Sequence, residues 1–268
     1  MQFVKYHGLG NTFLIGLASR LPENPSKLAQ TLCGAQTGLG VDGLIFGISC
    51  GDEDIETQMV LFNADGSRAE ISGNGIRCLA HELFSQNGFI GPLSILTDAG
   101  VREIKFIEGN SDEALIEVNM GQVTFGPKIE FAHLGIVNDF DIPQIGTVDV
   151  GNPHIVLQVG DISLVDIEVL GSTVESAWND DGINVHVMEV ISRDEISILT
   201  WERGVGVTEA CGSGAIASSA SAYQWGLIGE NVTVSMAGGE AYVSYHKEGF
   251  LLKGSSVRMN SHEVSISG

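Results

Sequence analysis

Basic residues are scarce in this chain. Thirteen Lys and Arg face 34 Asp and Glu among 268 residues, a formal net charge of −21. Phosphate backbones and anionic lipid surfaces would be repelled, which speaks against nucleic-acid and membrane partners. Long apolar runs are missing as well, and no stretch reaches the roughly 18 residues that a spanning helix needs. The opening MQFVKYHGLGNTF carries no signal-peptide apolar region, so a cytoplasmic protein is the expectation. Cysteine is sparse. Cys33, Cys50, Cys78 and Cys211 are scattered without a CxxC pair, which argues against a disulfide framework and against a zinc site. What is present is a composition 43% hydrophobic, enough for a real core. The length suits one large domain or two of about 130 residues.

Short β-rich runs dominate: LIGLA, GLIFGI, MVLFN, IVLQV, NVHVMEV, ISILTW and VTVSM, parted by Gly, Asn and Asp turns. Two segments read as helices. One is Asn74–Gln86, with Ile76, Leu79, Ala80, Leu83 and Phe84 on one stripe. The other is Gly214–Trp225, whose small Ala and Ser side chains suit close packing on all sides. GLGVDG, residues 38–43, spells GxGxxG, but a strand follows it, so it is set aside as a dinucleotide site.

The two halves share landmarks. Gly10-Asn11 is answered by Gly151-Asn152, 141 residues on, and Asn63 by Glu202, 139 on. Ser72-Gly-Asn-Gly is answered by Cys211-Gly-Ser-Gly, again 139 on, and Ala99-Gly100 by Ala237-Gly238, 138 on. Nearly one offset in one order predicts two homologous lobes, each a mostly antiparallel sheet around one helix. The site is expected in the cleft between the copies.

Each of the paired turns places a nucleophilic or acidic side chain before Gly-x-Gly and a helix. The first N–H groups of a helix lack partners within it and, with the macrodipole, bind carboxylate or phosphate. Two such ends would clamp one anion and so overcome the acidic field of the protein. A thiol at a helix N-terminus is expected to be shifted toward thiolate, which singles out Cys211. Cys33, Cys50 and Cys78 read as structural. Two groups flanking one α-carbon suit cofactor-free proton transfer, one abstracting and the other delivering. That is racemisation or epimerisation of an amino acid.

With these features the sequence resembles diaminopimelate epimerase. The resemblance covers essentially the whole chain and rests on KYHGLGNTF, GLGVDGLIF, NADGSRAEISGNGIRC, VGNPHIV, GINVHV and WERGVGVTEACGSGA. It implies an isomerase of the α+β class with two pseudo-symmetric lobes, each a mostly antiparallel sheet or barrel around a central helix. The lobes would span residues 1–120 and 121–268, with the last residues pairing back to the first lobe. It implies no cofactor and no metal, a cysteine from each lobe as acid and base, and interconversion of LL- and meso-diaminopimelate in lysine and peptidoglycan synthesis. By position, the catalytic pair falls on Cys211 and Ser72. The α-carboxylate clamp falls on Gly73, Asn74, Gly212 and Ser213. Asn11, Asn63, Asn152, Asn184, Glu202 and Arg203 would hold the rest of the substrate, Arg203 gripping its second carboxylate and Glu202 an ammonium. His154 would tune the catalytic pair, and His7 is assigned packing or hydrogen bonding.

The departures are specific. Ser72 stands where the family has a cysteine, and a hydroxyl is a far poorer proton shuttle than a thiol. Gly34-Ala35 replaces a frequent Asp-Arg pair, Val207 and Glu209 replace the usual Glu and Leu, and KGSSVRMN lacks the usual proline and tyrosine. The last change bears on whether a family-like homodimer forms. Ser72 has three accounts: an introduced exchange, a natural one-sided enzyme resembling the hydroxyproline dehydratases, or a natural loss of catalysis. A single exchange in an intact motif favours the first, and the other departures keep the second open. Three activities follow as alternatives: epimerisation impaired by Ser72, a racemase or one-base dehydratase for another amino acid, and non-catalytic amino-acid binding.

Overall fold

A computed structural model describes residues 1–34, 38–51, 54–88, 91–126, 141–178 and 182–265. Contacts divide the chain into two compact units. The first is Met1–Asn119 with Lys253–Gly268, and the second is Met120–Leu252.

In the first unit, β1 (Gln2–Gly8) turns into β2 (Asn11–Ala18). The turn is two residues long, and both Leu9 and Gly10 have positive φ, 51° and 88°, as a hairpin matched to strand twist requires. After α1 (Pro25–Cys33) come β3 (Gly43–Ile48), β4 (Thr57–Asn63), the short β5 (Arg68–Ala69) and α2 (Gly73–Asn87). Then follow β6 (Leu93–Thr97), β7 (Gly100–Gly109) and β8 (Glu113–Gly121). β2 and β3 pair in parallel, as do β4 and β6, and the remaining neighbours pair antiparallel. The last strand of the chain, numbered β17 below (Gly249–Glu263), pairs with both β8 and β1. The order β1-β2-β3-β4-β6-β7-β8-β17 therefore closes into an eight-stranded barrel.

Helix α2 is buried from Gly73 to Phe84. Several of its polar side chains are paired, as burial demands. Glu82 accepts hydrogen bonds from Tyr6 Oη at 2.7 Å and Gln86 at 2.8 Å, and the His81 ring meets Ser256 Oγ and the Asn110 carbonyl. The other face of the sheet carries α1 over Phe3, Leu14, Leu44, Phe46, Val60 and Phe62. With α2 on one side and α1 on the other, β3 is covered on both faces, so GLIFGI is a continuous apolar run without alternation.

The second unit repeats this order. It contains β9 (Thr124–Phe125), β10 (Gln144–Asp149), β11 (Pro153–Val159), α3 (Ile167–Ala177), β12 (Asn184–Ser192) and β13 (Glu195–Glu202). It continues with β14 (Gly206–Thr208), α4 (Gly212–Gln224), β15 (Asn231–Met236) and β16 (Gly239–His246). β11–β12 and β13–β15 are parallel, and β10–β11, β12–β13, β13–β14 and β15–β16 antiparallel, matching the first unit pair for pair. α4 is buried from Gly212 to Ala222, which its small side chains permit. α3 packs its Leu170 and Val174 over Ile155, Leu157, Val185 and Val187 on the opposite face. The α+β class and the repeat of one lobe plan are thus present.

Two helices, α1 and α3, were not expected from periodicity. α1 is nine residues long with Asn24 before Pro25, whose fixed φ suits a first helical position. α3 contains Gly171 and four β-branched residues, which weaken any helix signal. Gly171 is needed there because a Cβ would fall 2.5 Å from the Trp201 ring. Asp166 caps α3, accepting the Val169 N–H at 3.1 Å.

Candidate active site

In the first unit β4 ends at Asn63, β5 turns the chain, and Ser72 heads α2 with φ −134° and ψ 121°. Ser72 Oγ accepts the Gly75 N–H at 3.0 Å. Gly75 carries no side chain because a Cβ would lie 2.8 Å from Ile45 Cδ1. Asn74 Nδ2 donates to Asn11 Oδ1 at 2.6 Å, tying the helix start to the β1–β2 turn. Asn63 lies further along the same wall, donating through Nδ2 to Ser67 Oγ at 3.0 Å. His7 Nε2 accepts the Gly10 N–H at 3.0 Å. So Asn11, Ser72, Gly73 and Asn74 form one connected group, with Asn63 on the strand leading into it.

The second unit builds the same turn. Cys211 heads α4 with φ −135° and ψ 112°. Its Sγ accepts the Gly214 N–H at 3.3 Å and lies 3.4 Å from Ser213 Oγ. β13 delivers Glu202, which accepts from Thr208 Oγ1 at 2.7 Å and whose carboxylate lies against the Cys211 thiol. Asn184 is fixed at both ends of its amide, donating to the Pro153 carbonyl at 2.9 Å and accepting the Arg203 N–H at 3.0 Å. His154 lies between Asn152 Oδ1, at 2.8 Å from Nε2, and His186 Nε2, at 2.8 Å from Nδ1. Thus Cys211, Gly212, Ser213 and Glu202 form one cluster, and Asn152, His154, Asn184 and Arg203 form its neighbour.

The titration of Cys211 differs from the sequence expectation. Burial pushes the thiol well above the usual range and the Glu202 carboxylate pushes it further; the Ser213 and Gly214 hydrogen bonds act the other way and lose. The helix end favours thiolate, but a fully buried sulfur facing a carboxylate keeps its proton. Cys78 and Cys33 are buried and raised to about 11 and about 12, which keeps both unreactive. Cys50 is exposed, so packing does not account for it. His186 is lowered to about 3 by burial, and burial with the charges of His186 and Arg203 lowers His154 well below its ordinary value.

Sequence reasoning did not single out three residues at these turns. Arg77 is fully buried one turn into α2, donating to the Gly73 carbonyl and to Asn74 Oδ1. His186 backs the Cys211 turn, and a Cβ on Gly214 would meet its ring at 2.2 Å. Asp42 accepts the Thr12 N–H at 2.6 Å beside Asn11. The available signal was a cation on the buried stripe of α2, and a histidine two residues after Asn184 on the same face of β12. Of the departures, Val207 is exposed and Ala35 lies outside the described residues. Among the described residues no three His, Cys, Asp or Glu side chains gather as metal ligands, and no helix is long and apolar enough to cross a membrane.

Comparison with known proteins gives the fold and the family separately. Among solved structures, a phenazine biosynthesis protein of the PhzF family from Bacillus anthracis superposes with a TM-score of 0.72 at 19% identity over 99% of both chains. A hydroxyproline epimerase from Agrobacterium vitis does so with 0.71 at 13% identity, over 98% of this chain and 91% of that one. At such identities the likeness is one of fold. The diaminopimelate epimerase of Halothermothrix orenii is 34% identical, covering 99% of this chain and 98% of that protein. That of Bacillus velezensis is 33% identical, covering 94% and 93%. The family model described as diaminopimelate epimerase matches residues 3–126 and 146–261. The chain belongs to the diaminopimelate epimerase family.

Proposed function

We propose that this protein is a cofactor-independent isomerase that interconverts LL- and meso-diaminopimelate by proton transfer at one α-carbon, in cytoplasmic lysine synthesis. The observation that carries the reading is the pair of equivalent helix starts, each with first-turn amides that lack partners within the helix and each headed by a side chain able to carry a proton. The α-carboxylate would take the N–H groups of Gly73, Asn74, Gly212 and Ser213. Asn11, Asn63, Asn152, Asn184, Glu202 and Arg203 would hold the remainder, Arg203 pairing with the distal carboxylate. The reading requires both turns to reach one substrate.

Cys211 enters the reaction protonated, because burial and Glu202 disfavour its thiolate. An ammonium of the substrate paired with Glu202 removes that carboxylate's penalty and eases proton movement at sulfur. The second group is Ser72, whose hydroxyl accepts the Gly75 amide and has no basic side chain as hydrogen-bond partner among the described residues. Its face is therefore the slow one, and overall epimerisation is limited there.

Calorimetry with meso-diaminopimelate tests the substrate. Micromolar to millimolar binding that Arg203→Ala weakens by at least about tenfold supports it. No binding of diaminopimelate, beside tight binding of a monocarboxylate amino acid such as histidine, would replace it with a racemase for that amino acid. Binding without any α-proton exchange would leave an amino-acid-binding protein.

A further inference from the structure

Arg77 is an expensive residue to place where it is. Its side chain is wholly buried, its Nε has no partner, and no carboxylate among the described residues lies within ion-pair distance of it. Burying an unpaired charge is costly, and the usual outcome is that the group neutralises or recruits a counter-charge. Arg77 does neither: burial lowers its pKa only to about 10, so the guanidinium is charged at neutral pH. The chain makes room for it. Gly254 on β17 faces the guanidinium, and a Cβ there would lie 2.9 Å from Arg77 Cζ.

What the guanidinium touches explains its position. Nη1 donates to the Gly73 carbonyl at 3.0 Å, and Nη2 to Asn74 Oδ1 at 2.6 Å. The Gly73 carbonyl belongs to the same peptide group as the Asn74 N–H, one of the amides at the mouth of α2. A cation on that carbonyl polarises the peptide and strengthens its N–H as a donor. The second bond engages Asn74 Oδ1 and so fixes the amide's orientation, with its NH2 reaching Asn11 Oδ1 at 2.6 Å.

We propose that Arg77 is a positioning residue for anion capture at the first turn: a buried, unneutralised cation that fixes the Gly73–Asn74 amides and Asn74 side chain and draws a carboxylate to the head of α2. Its counter-charge is supplied by the ligand. This also answers how a chain of net charge −21 holds an acidic ligand, because the local field at the turn is set by a positive group that solvent and salt do not reach. The inference rests on the carboxylate-binding reading of that turn but not on diaminopimelate as the substrate.

The test uses a thiol introduced by Ser72→Cys as a reporter in the full chain. Its alkylation is followed by peptide mass mapping, which separates it from exposed Cys50. The rate with iodoacetate, an anion, is divided by the rate with neutral iodoacetamide. A purely structural role would alter both rates together, whereas loss of a local cation lowers the ratio. Arg77→Met and Arg77→Gln should lower the ratio at least about fivefold, and Arg77→Lys should keep it within about twofold of the Arg77 protein. Two neutral variants are included because either could fold poorly. An unchanged ratio in either folded neutral variant would overturn the proposal. Failure of diaminopimelate to bind would remove that substrate without moving this ratio, so the two readings fail separately.

Discussion

Ser72 and Cys211 hold the same backbone conformation at the heads of two equivalent buried helices, with φ, ψ of −134°, 121° and −135°, 112°. Each accepts the N–H of the residue three positions on, at 3.0 Å for oxygen and 3.3 Å for sulfur. The turn is thus built for a side-chain acceptor of this size in either lobe. What differs is acidity, not geometry.

Burial, reinforced by the Glu202 carboxylate, holds the proton on Cys211. Glu202→Gln removes both the charge and the hydrogen bond that raise the thiol. The pH profile of alkylation at Cys211 should therefore move to lower pH in the variant. A profile that stays or moves upward would show that burial alone sets the titration.

His154 and His186 couple stability to acid. Both have depressed folded values, so below the ordinary histidine pKa near 6.5 the unfolded chain binds protons that the folded chain refuses. Stability should fall as pH drops below about 6.5, by roughly 1.4 kcal/mol per pH unit for each group, with the His186 contribution continuing toward about pH 3. His186→Gln should make the slope of unfolding free energy between pH 6 and 4.5 shallower by about that amount. Equal slopes in urea titrations of the two proteins would contradict the buried neutral pair.

Gly214 leaves no room for a methyl group. Its Cβ would overlap the His186 ring, and the displaced turn would misplace the amide that Cys211 Sγ caps. Gly214→Ala should destabilise by about 1–3 kcal/mol, read from the denaturation midpoint at unchanged slope. Gly88→Ala is a poor control because Gly88 has φ of 77°, whereas Gly160→Ala, which meets nothing within 4 Å, should change little.

The repeat was legible because four landmarks recur at nearly one offset, and it carries the fold: the strand pairings of the second unit copy those of the first. The buried helices α2 and α4 were legible to within two residues, since a Gly-x-Gly turn opens each and an apolar or small-sided run follows. α1 and α3 were not, because each packs one face on a sheet and owes its stability to tertiary contacts rather than to propensity. The sequence pointed to Ser72 and Cys211 by motif, but not to the state of the thiol. That depends on Glu202, nine residues earlier at the end of β13, and on burial that no local pattern reports. Arg77 was likewise hidden, since a cation in a helix reads as a solvated residue until the surrounding barrel is seen.

Ser72 should limit catalysis. General acid–base groups contribute roughly 10²–10⁴-fold, and a hydroxyl without a base forfeits most of that. The most direct measurement is α-proton exchange in deuterated water, with LL- and meso-diaminopimelate in parallel, for this protein and for Ser72→Cys. The account predicts epimerisation at least about a hundredfold faster in Ser72→Cys, with deuterium entering from both isomers. Equal rates in the two proteins would contradict it.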